Sequence, residues 1–462
     1  RGHRHRAVVE PRGHVQGKAP AALVVNLASG TLPVGLARLA RLPRPPWPSC
    51  VVALLVALAT SPASADAPVP PWWPAGSAPP SSAARSVVAR PSASGEPGDM
   101  VLLVEPDGGA SRRGTTRPGT SLRFFGTRRG PGCNSDWWLV GPLAWVCSDQ
   151  ADLSPAEPLA NRVEPPGADG LVARYYFVKE DGASAYASLA MAEEGTSDRE
   201  LEAGTGLAAV EQRSVQGETW VRTTKGLWVG TRDLAPARPS LFHGEAVEGG
   251  RLDFGWVRAD RAGYWSEPTP KKKPAGSRSR FSLVHVRDES GPMTQLDDGT
   301  WMLKQDIVRP SLQAPPAEVS LDGERWIDVE VLTQTLVAYE GKVPVFATLV
   351  STGRPGEDAT PRGVHRIWVK IASSDMGSSD RSEADARYAL EEVPYVQFFD
   401  GAVALHGTYW HRDFGHARSH GCVNLAPLDA RRLFDFTSPA VPAGWAAAYP
   451  VRFDEGTVVR VR

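Results

Sequence analysis

A pattern that returns three times constrains this chain more than any other feature. In the first copy "GTSLRFF" and "WWLVGPLAWVC" lead to Asp152-Leu153-Ser154-Pro155. In the second "GTGLAAVEQR" and "TWVRTTKGLWVG" lead to Asp233-Leu234-Ala235-Pro236, and in the third "RFSLVHVRD" and "DGTWMLKQD" lead to Asp306-Ile307-Val308-Arg309-Pro310. Trp145, Trp228 and Trp301 hold corresponding places, 83 and 73 residues apart, which suits a small barrel of about 60 residues plus a connection. Alternation of period two inside each copy favours short strands, and 45 Gly with 41 Pro in 462 residues supply turns rather than long helices.

The three copies resemble bacterial SH3-like domains, at 99–158, 168–240 and 250–315. Their aromatics read first as barrel core rather than as a ligand groove. Lys+Arg and Asp+Glu number 51 and 52, so no long-range field draws the chain to nucleic acid, and Lys271-Lys272-Lys273-Pro274 is a solvated linker.

Residues 1–37 show no sustained period and read as a read-through or a disordered leader that is not native to the protein. Arg38, Arg41 and Arg44 precede the ten-residue run Cys50–Ala59, and Ala63-Ser64-Ala65 follows, so 38–65 reads as a secretory signal peptide. The run is half of the roughly 20 apolar residues a membrane span requires, so no anchor is expected once the signal is cleaved, and the protein belongs in the periplasm or cell wall. Residues 66–98, rich in Pro, Ser and Ala, are expected to be an unfolded tether. After cleavage three cysteines remain: Cys133 and Cys147, close together and expected to form a disulfide, and Cys422 without a partner.

From about 322 the chain alternates apolar and polar residues, with Glu340-Gly341 as a hairpin turn. The polar segment 373–388 reads as a mobile flap, and Leu428, Leu433 and Phe434 lie near one face of a helix that Pro427 opens. Four of the ten histidines, His406, His411, His416 and His420, precede Cys422 within sixteen residues. Their spacing matches no zinc motif, and Arg412, Asp413 and Arg418 make the segment too polar for a core. Nucleophilic catalysis fits better: a free thiol of pKa about 8.5 is only about 3 per cent thiolate at neutral pH and requires a base. His406, at the end of a strand, would be that base, with the Gly407 carbonyl or a side chain on the loop orienting it. Gly421 would turn the backbone so that the amides of Gly421 and Cys422 face a developing oxyanion.

"HGTYWHRDFGHARSHGCVNL" (406–425) resembles the signature of the L,D-transpeptidase catalytic domain (YkuD family), as do "TLVSTGRPGEDATPRGVHRIWVK" (348–370) and "VPYVQFFDGAVALHG" (393–407). The resemblance covers about 322–455, within a catalytic domain expected at 322–462. It implies a mainly β fold, tandem SH3-like barrels followed by a β-sandwich with a short helix, and a cysteine acyltransferase needing no metal or organic cofactor. It further implies Cys422 as nucleophile, His406 as base, and Gly407, Ser419, His420 and Gly421 as residues that shape the site. The substrate implied is the peptidoglycan stem peptide, cross-linked through a thioester acyl-enzyme, with envelope proteins as further partners of the SH3-like copies. Hydrolysis at the same site, as an L,D-carboxypeptidase or amidase-like hydrolase, and a non-catalytic wall-binding role are the alternatives. The loop from His406 to Ser419 is short for some members, and Asn424 stands where many relatives carry Arg. Asn424, Trp410 and His411 are candidates for the walls of the substrate pocket.

Overall fold

The computed structural model describes residues 84–90, 99–158, 167–320, 322–377 and 389–462; the leader, the signal segment and part of the tether lie outside the described residues. The chain is mainly β, and among the described residues it has two α-helices, Leu189–Glu194 and Pro427–Phe436.

The three sequence copies share one pairing scheme. In the second, Arg174–Val178 lies antiparallel between Gly206–Val215 and Leu234–Pro236; Gly206–Val215 then pairs with Glu218–Thr223, and that strand with Trp228–Gly230. In the third, Phe254–Val257 lies between Leu283–Ser290 and Ile307–Val308, and the chain continues through Met293–Leu296 to Trp301–Leu303. In the first, Ser86–Ala89 lies between Ser121–Arg123 and Ala151–Ser154, and Gly126–Arg128 leads through Trp137–Gly141 to Ala144–Cys147. The three tryptophans occupy one ladder position: Trp145 faces Leu103, Trp228 faces Tyr186 and Trp301 faces Trp265, each on the second strand of its unit. Three residues later a 3-10 turn begins in every copy, at Ser148, Thr231 and Lys304, and feeds the strand that closes the unit.

The tether expectation fails at one place. Ser86–Ala89 is the first strand of the first unit, with Val87 and Ala89 buried to 0% and 1% exposure. Four residues carry little strand signal alone; pairing on both edges supplies the stability that composition did not show. Cys133 and Cys147 form the expected disulfide, which ties the loop after Arg128 to the strand that carries Trp145.

From 322 onward two sheets face each other. The first runs Val343–Leu349, Thr335–Glu340, Arg325–Glu330, Val458–Val461, Gly363–Arg366; the C-terminal strand inserts parallel to Arg325–Glu330, and Gly341 makes the expected hairpin turn at φ +57°. The second runs Ala447–Ala448, Val369–Gly377, Ala389–Asp400, Val403–Gly407, Val423–Leu425, and its last pair is parallel. Ile327, Val329, Leu336, Leu405, Val423, Leu425 and Val459, all at 0% exposure, fill the space between, with Ala430 and Leu433 of the helix against them. The helix therefore buries Ala430 and Leu433 rather than Leu428, and it buries Asp429 too. That carboxyl accepts from the Gly244 amide and the Thr348 hydroxyl, and burial raises its pKa to about 6.

The expected flap is strand as far as Gly377, and 378–388 lie outside the described residues. Ser373 and Ser374 are polar yet buried, and Ser373 is satisfied by hydrogen bonds to Glu392 and Arg117. Each β unit is attached to this domain differently. The first extends the second sheet, pairing Gly114 with Ala448. The second packs Leu171, Tyr175 and Ala208 on that sheet's outer face, against Val369, Val396 and Ala404. The segment before the third adds Glu245–Ala246 to the edge of the first sheet.

Asp328 holds the inserted C-terminal strand. Its carboxylate, 2% exposed, meets Arg460 at 2.6 Å and Arg462 at 2.9 Å. Asp328→Ala leaves Arg460 without its carboxylate partner and Arg462 with Glu330 alone, and is expected to cost about 3 kcal/mol in denaturant unfolding; a loss below about 1 kcal/mol would show that apolar contacts alone hold the strand.

Candidate active site

The parallel pair sets the site. Leu405 lies opposite Val423 and His406 opposite Asn424. Side chains alternate along a strand, so Leu405, Val423 and Leu425 enter the core while Ala404, His406, Cys422 and Asn424 take the other face. Cys422 and His406, sixteen residues apart in sequence, thus become diagonal neighbours on one face. The thiol is the one free cysteine among the described residues, part-buried, with Sγ 3.9 Å from the Ala402 carbonyl oxygen that accepts from it.

His406 is 2% exposed, and its Nδ1 lies 3.1 Å from the Gly407 carbonyl. A carbonyl only accepts, so Nδ1 carries the proton and Nε2 keeps its lone pair. Trp410 stacks on the ring, centroids 5.6 Å apart. Burial lowers the His406 pKa to about 4, opposed by the Gly407 hydrogen bond, and burial pushes the Cys422 thiol above its ordinary value. At neutral pH the two groups rest as imidazole and thiol, not as an ion pair. Gly407 has to be glycine for packing: a Cβ there would meet the Pro394 ring at 2.9 Å.

The turn before the cysteine is built by Ser419. Its hydroxyl donates to the Cys422 carbonyl and accepts from the Gly421 amide at 3.1 Å. Gly421 sits at φ +125°, a conformation that favours glycine, and its carbonyl accepts from Thr360 Oγ1 at 2.8 Å. The sequence expectation for the oxyanion meets a competing bond here, since the Gly421 amide donates to Ser419 Oγ.

His411 and Asn424 face each other, amide to Nε2 at 2.8 Å. His411 Nδ1 accepts from the Asp413 amide at 3.2 Å, so a neutral ring has its proton on Nε2. The Asn424 amide is therefore assigned with Oδ1 toward that proton, which places Nδ2 where the oxygen would otherwise lie buried and without a partner. Asn424, at 3% exposure, positions His411 instead of lining an open pocket. Trp410 is partly buried in the cluster that contains Cys422, and His420 is exposed. His406, His411, His416 and His420 form no shared set of ligand atoms; among the described residues such a set consists of Cys133, Cys147 and Asp149, and its sulfurs are joined as a disulfide.

Several residues that hold the site carry no sequence signal. Thr352 receives the amides of Arg418 and Ser419 on its carbonyl, and Gln334 brackets Thr352 with two hydrogen bonds, at 2.8 and 2.6 Å. Tyr175 of the second unit stacks on Tyr409 at 3.9 Å, and Arg280 of the third donates to Phe414 O and His416 Nδ1.

The histidines bring a pH dependence. His406 and His411 each sit at about 4, below the ordinary 6.5, because burial disfavours the charged ring. A depressed pKa stabilises the fold above about pH 6.5, and that stability is lost as pH falls toward about 4, by about 3 kcal/mol per histidine. Denaturant unfolding of wild type and His406→Gln between pH 7 and 4 is expected to show a smaller fall in the variant; equal falls would mean that the ring is already solvated and free to protonate.

Residues 324–461 match the family model YkuD, the L,D-transpeptidase catalytic domain. No curated protein matches. Among solved structures, an Enterococcus faecium L,D-transpeptidase mutant is 23% identical over 30% of this chain and 50% of its own, with a TM-score of 0.24. A Stackebrandtia nassauensis L,D-transpeptidase is 27% identical over 33% and 58%, with a TM-score of 0.22. L,D-transpeptidase 3 from Mycobacterium tuberculosis is 18% identical over 35% and 73%, with a TM-score of 0.24. The chain thus spans about half the length of the first two. With the family signature and the site described, residues 324–461 carry the L,D-transpeptidase catalytic domain of the YkuD family.

Proposed function

We propose that the chain is an exported L,D-transpeptidase that cross-links peptidoglycan stem peptides through a thioester on Cys422. The observation that carries the reading is the placement of Cys422 and His406 on one face of adjacent parallel strands, with His406 Nδ1 tied to Gly407 so that Nε2 is the basic nitrogen.

The reaction follows from the neutral resting pair. His406 Nε2 takes the thiol proton as Sγ attacks the donor carbonyl carbon, and the Cys422 amide donates to the oxyanion. The carbon–nitrogen bond then breaks, the leaving D-residue amine takes the proton from His406, and a thioester remains. An amine on a second stem attacks the thioester; His406 accepts its proton and returns it to the departing sulfur. With water as acceptor the same steps give hydrolysis. Ser419 and Gly421 shape the turn that presents the sulfur, and Trp410 and His411 hold the face around His406. The three β units are proposed as SH3-like barrels through which the enzyme meets the wall or envelope proteins.

Incubation with a carbapenem followed by intact mass measurement is expected to give one adduct on the wild type and none on Cys422→Ala. An adduct that persists in the variant would refute the nucleophile. Muropeptide analysis of walls treated with the pure enzyme is expected to show new cross-links; shortened stems alone would make it a hydrolase, and unchanged walls a binding protein.

A further inference from the structure

A cleft of about 830 Å³ lies between the third β unit and the loop that precedes the catalytic turn. Arg258 and Arg280 come to it from the unit, and Arg354, Asp413, His416 and Arg418 from the catalytic domain. Asp413 is shared: Arg280 lies 3.3 Å and Arg418 2.8 Å from its carboxylate. Arg354 pairs at 2.8 Å with Asp358, which does not line the cleft. Arg258 is exposed and makes no ion pair among the described residues. Two further carboxylates enter the lining. Asp260 is 93% exposed and 3.9 Å from Arg280, and Asp306 has its pKa raised by burial alone. His416 senses the balance: burial lowers its pKa first, and Arg280, Arg258 and Arg418 lower it further against Asp413 alone.

The cleft joins the chemistry through the backbone. The Arg354 amide donates to the Ser419 carbonyl at 3.1 Å, Gly353 bridges to Ser419, and the Arg418 amide donates to Thr352 O. The backbone that carries Arg354 and Arg418 is therefore bonded directly to the residue that builds the turn before Cys422. We propose that this cleft binds the carboxylate-bearing part of the acceptor, a second peptide stem whose free carboxylates pair with Arg258 and compete with Asp358 and Asp413 for Arg354 and Arg418. Guanidinium groups suit carboxylates because their planar donors meet both oxygens at once. Arg280, already bonded to Phe414 O and His416 Nδ1, is the positioning residue that keeps the unit against the loop. The third unit is then part of the substrate site and not only a tether. The inference rests on the transpeptidase reading and names where its second substrate is held.

The test uses the full chain as Cys422→Ser, so that nothing turns over, and a fluorescein-labelled stem tetrapeptide with free carboxylates. Fluorescence anisotropy is expected to show that amidating the carboxylates weakens binding about tenfold. The same loss is expected for Arg258→Ala with the free peptide, with partial recovery in Arg258→Lys and weaker wild-type binding as salt rises. Equal binding of free and amidated peptides, or unchanged binding in Arg258→Ala, would overturn the proposal. The amidation arm needs no variant at this cleft and so does not depend on how Arg258 substitutions fold. Failure of the transpeptidase reading looks different: no carbapenem adduct forms on the wild type, whatever the peptide does.

Discussion

The site depends on the parallel pairing of Val403–Gly407 with Val423–Leu425. A slip of Val423–Leu425 by one residue would send Cys422 toward the sandwich core and Val423 and Leu425 out of it, and leave His406 alone on the other face. The apolar residues on the core side therefore fix the register, and the register fixes the chemistry. What results is a buried imidazole beside a part-buried thiol, both uncharged at rest. For the exported enzyme proposed above this has a use. A thiolate is the form that oxidants attack, and a thiol that ionises only as substrate arrives is better protected.

The β units are built into this arrangement and are not beads on a string. The first lengthens the sheet at Gly114–Ala448, the second covers its outer face with Tyr175 stacked on Tyr409, and the third pins the loop through Arg280. Lys225 of the second unit adds ion pairs to Asp375 and Glu391, and Arg117 of the first pairs with Glu392. Units attached by such contacts constrain how the proposed peptidoglycan substrate can approach Cys422.

Much of this was legible in the sequence because it is local. Period-two alternation marks strands, Glu340-Gly341 a hairpin, Pro427 the start of a helix, and three tryptophans at regular intervals a repeat whose third member pairs like the other two. The sequence also named the cysteine and the histidine that the parallel pairing places on one face. What was not legible depends on distant partners. Ser86–Ala89 is a strand only because two others flank it, Asp429 is buried only because Gly244 and Thr348 satisfy it, and Gly421 gives its amide to Ser419. Asn424 looked like a pocket residue since polar side chains beside a nucleophile usually meet substrate, but here it completes the hydrogen bonding of His411.

The central claim, a thiol and imidazole that are both neutral at rest, is read most directly from thiolate ultraviolet absorbance, taken as the difference between wild type and Cys422→Ser across a pH titration. The expected result is no thiolate signal at neutral pH, with the signal rising only above the range of an ordinary cysteine. A thiolate already present at pH 6 to 7 would contradict it, because the pair would then be a preformed ion pair and the burial assigned to it would be wrong.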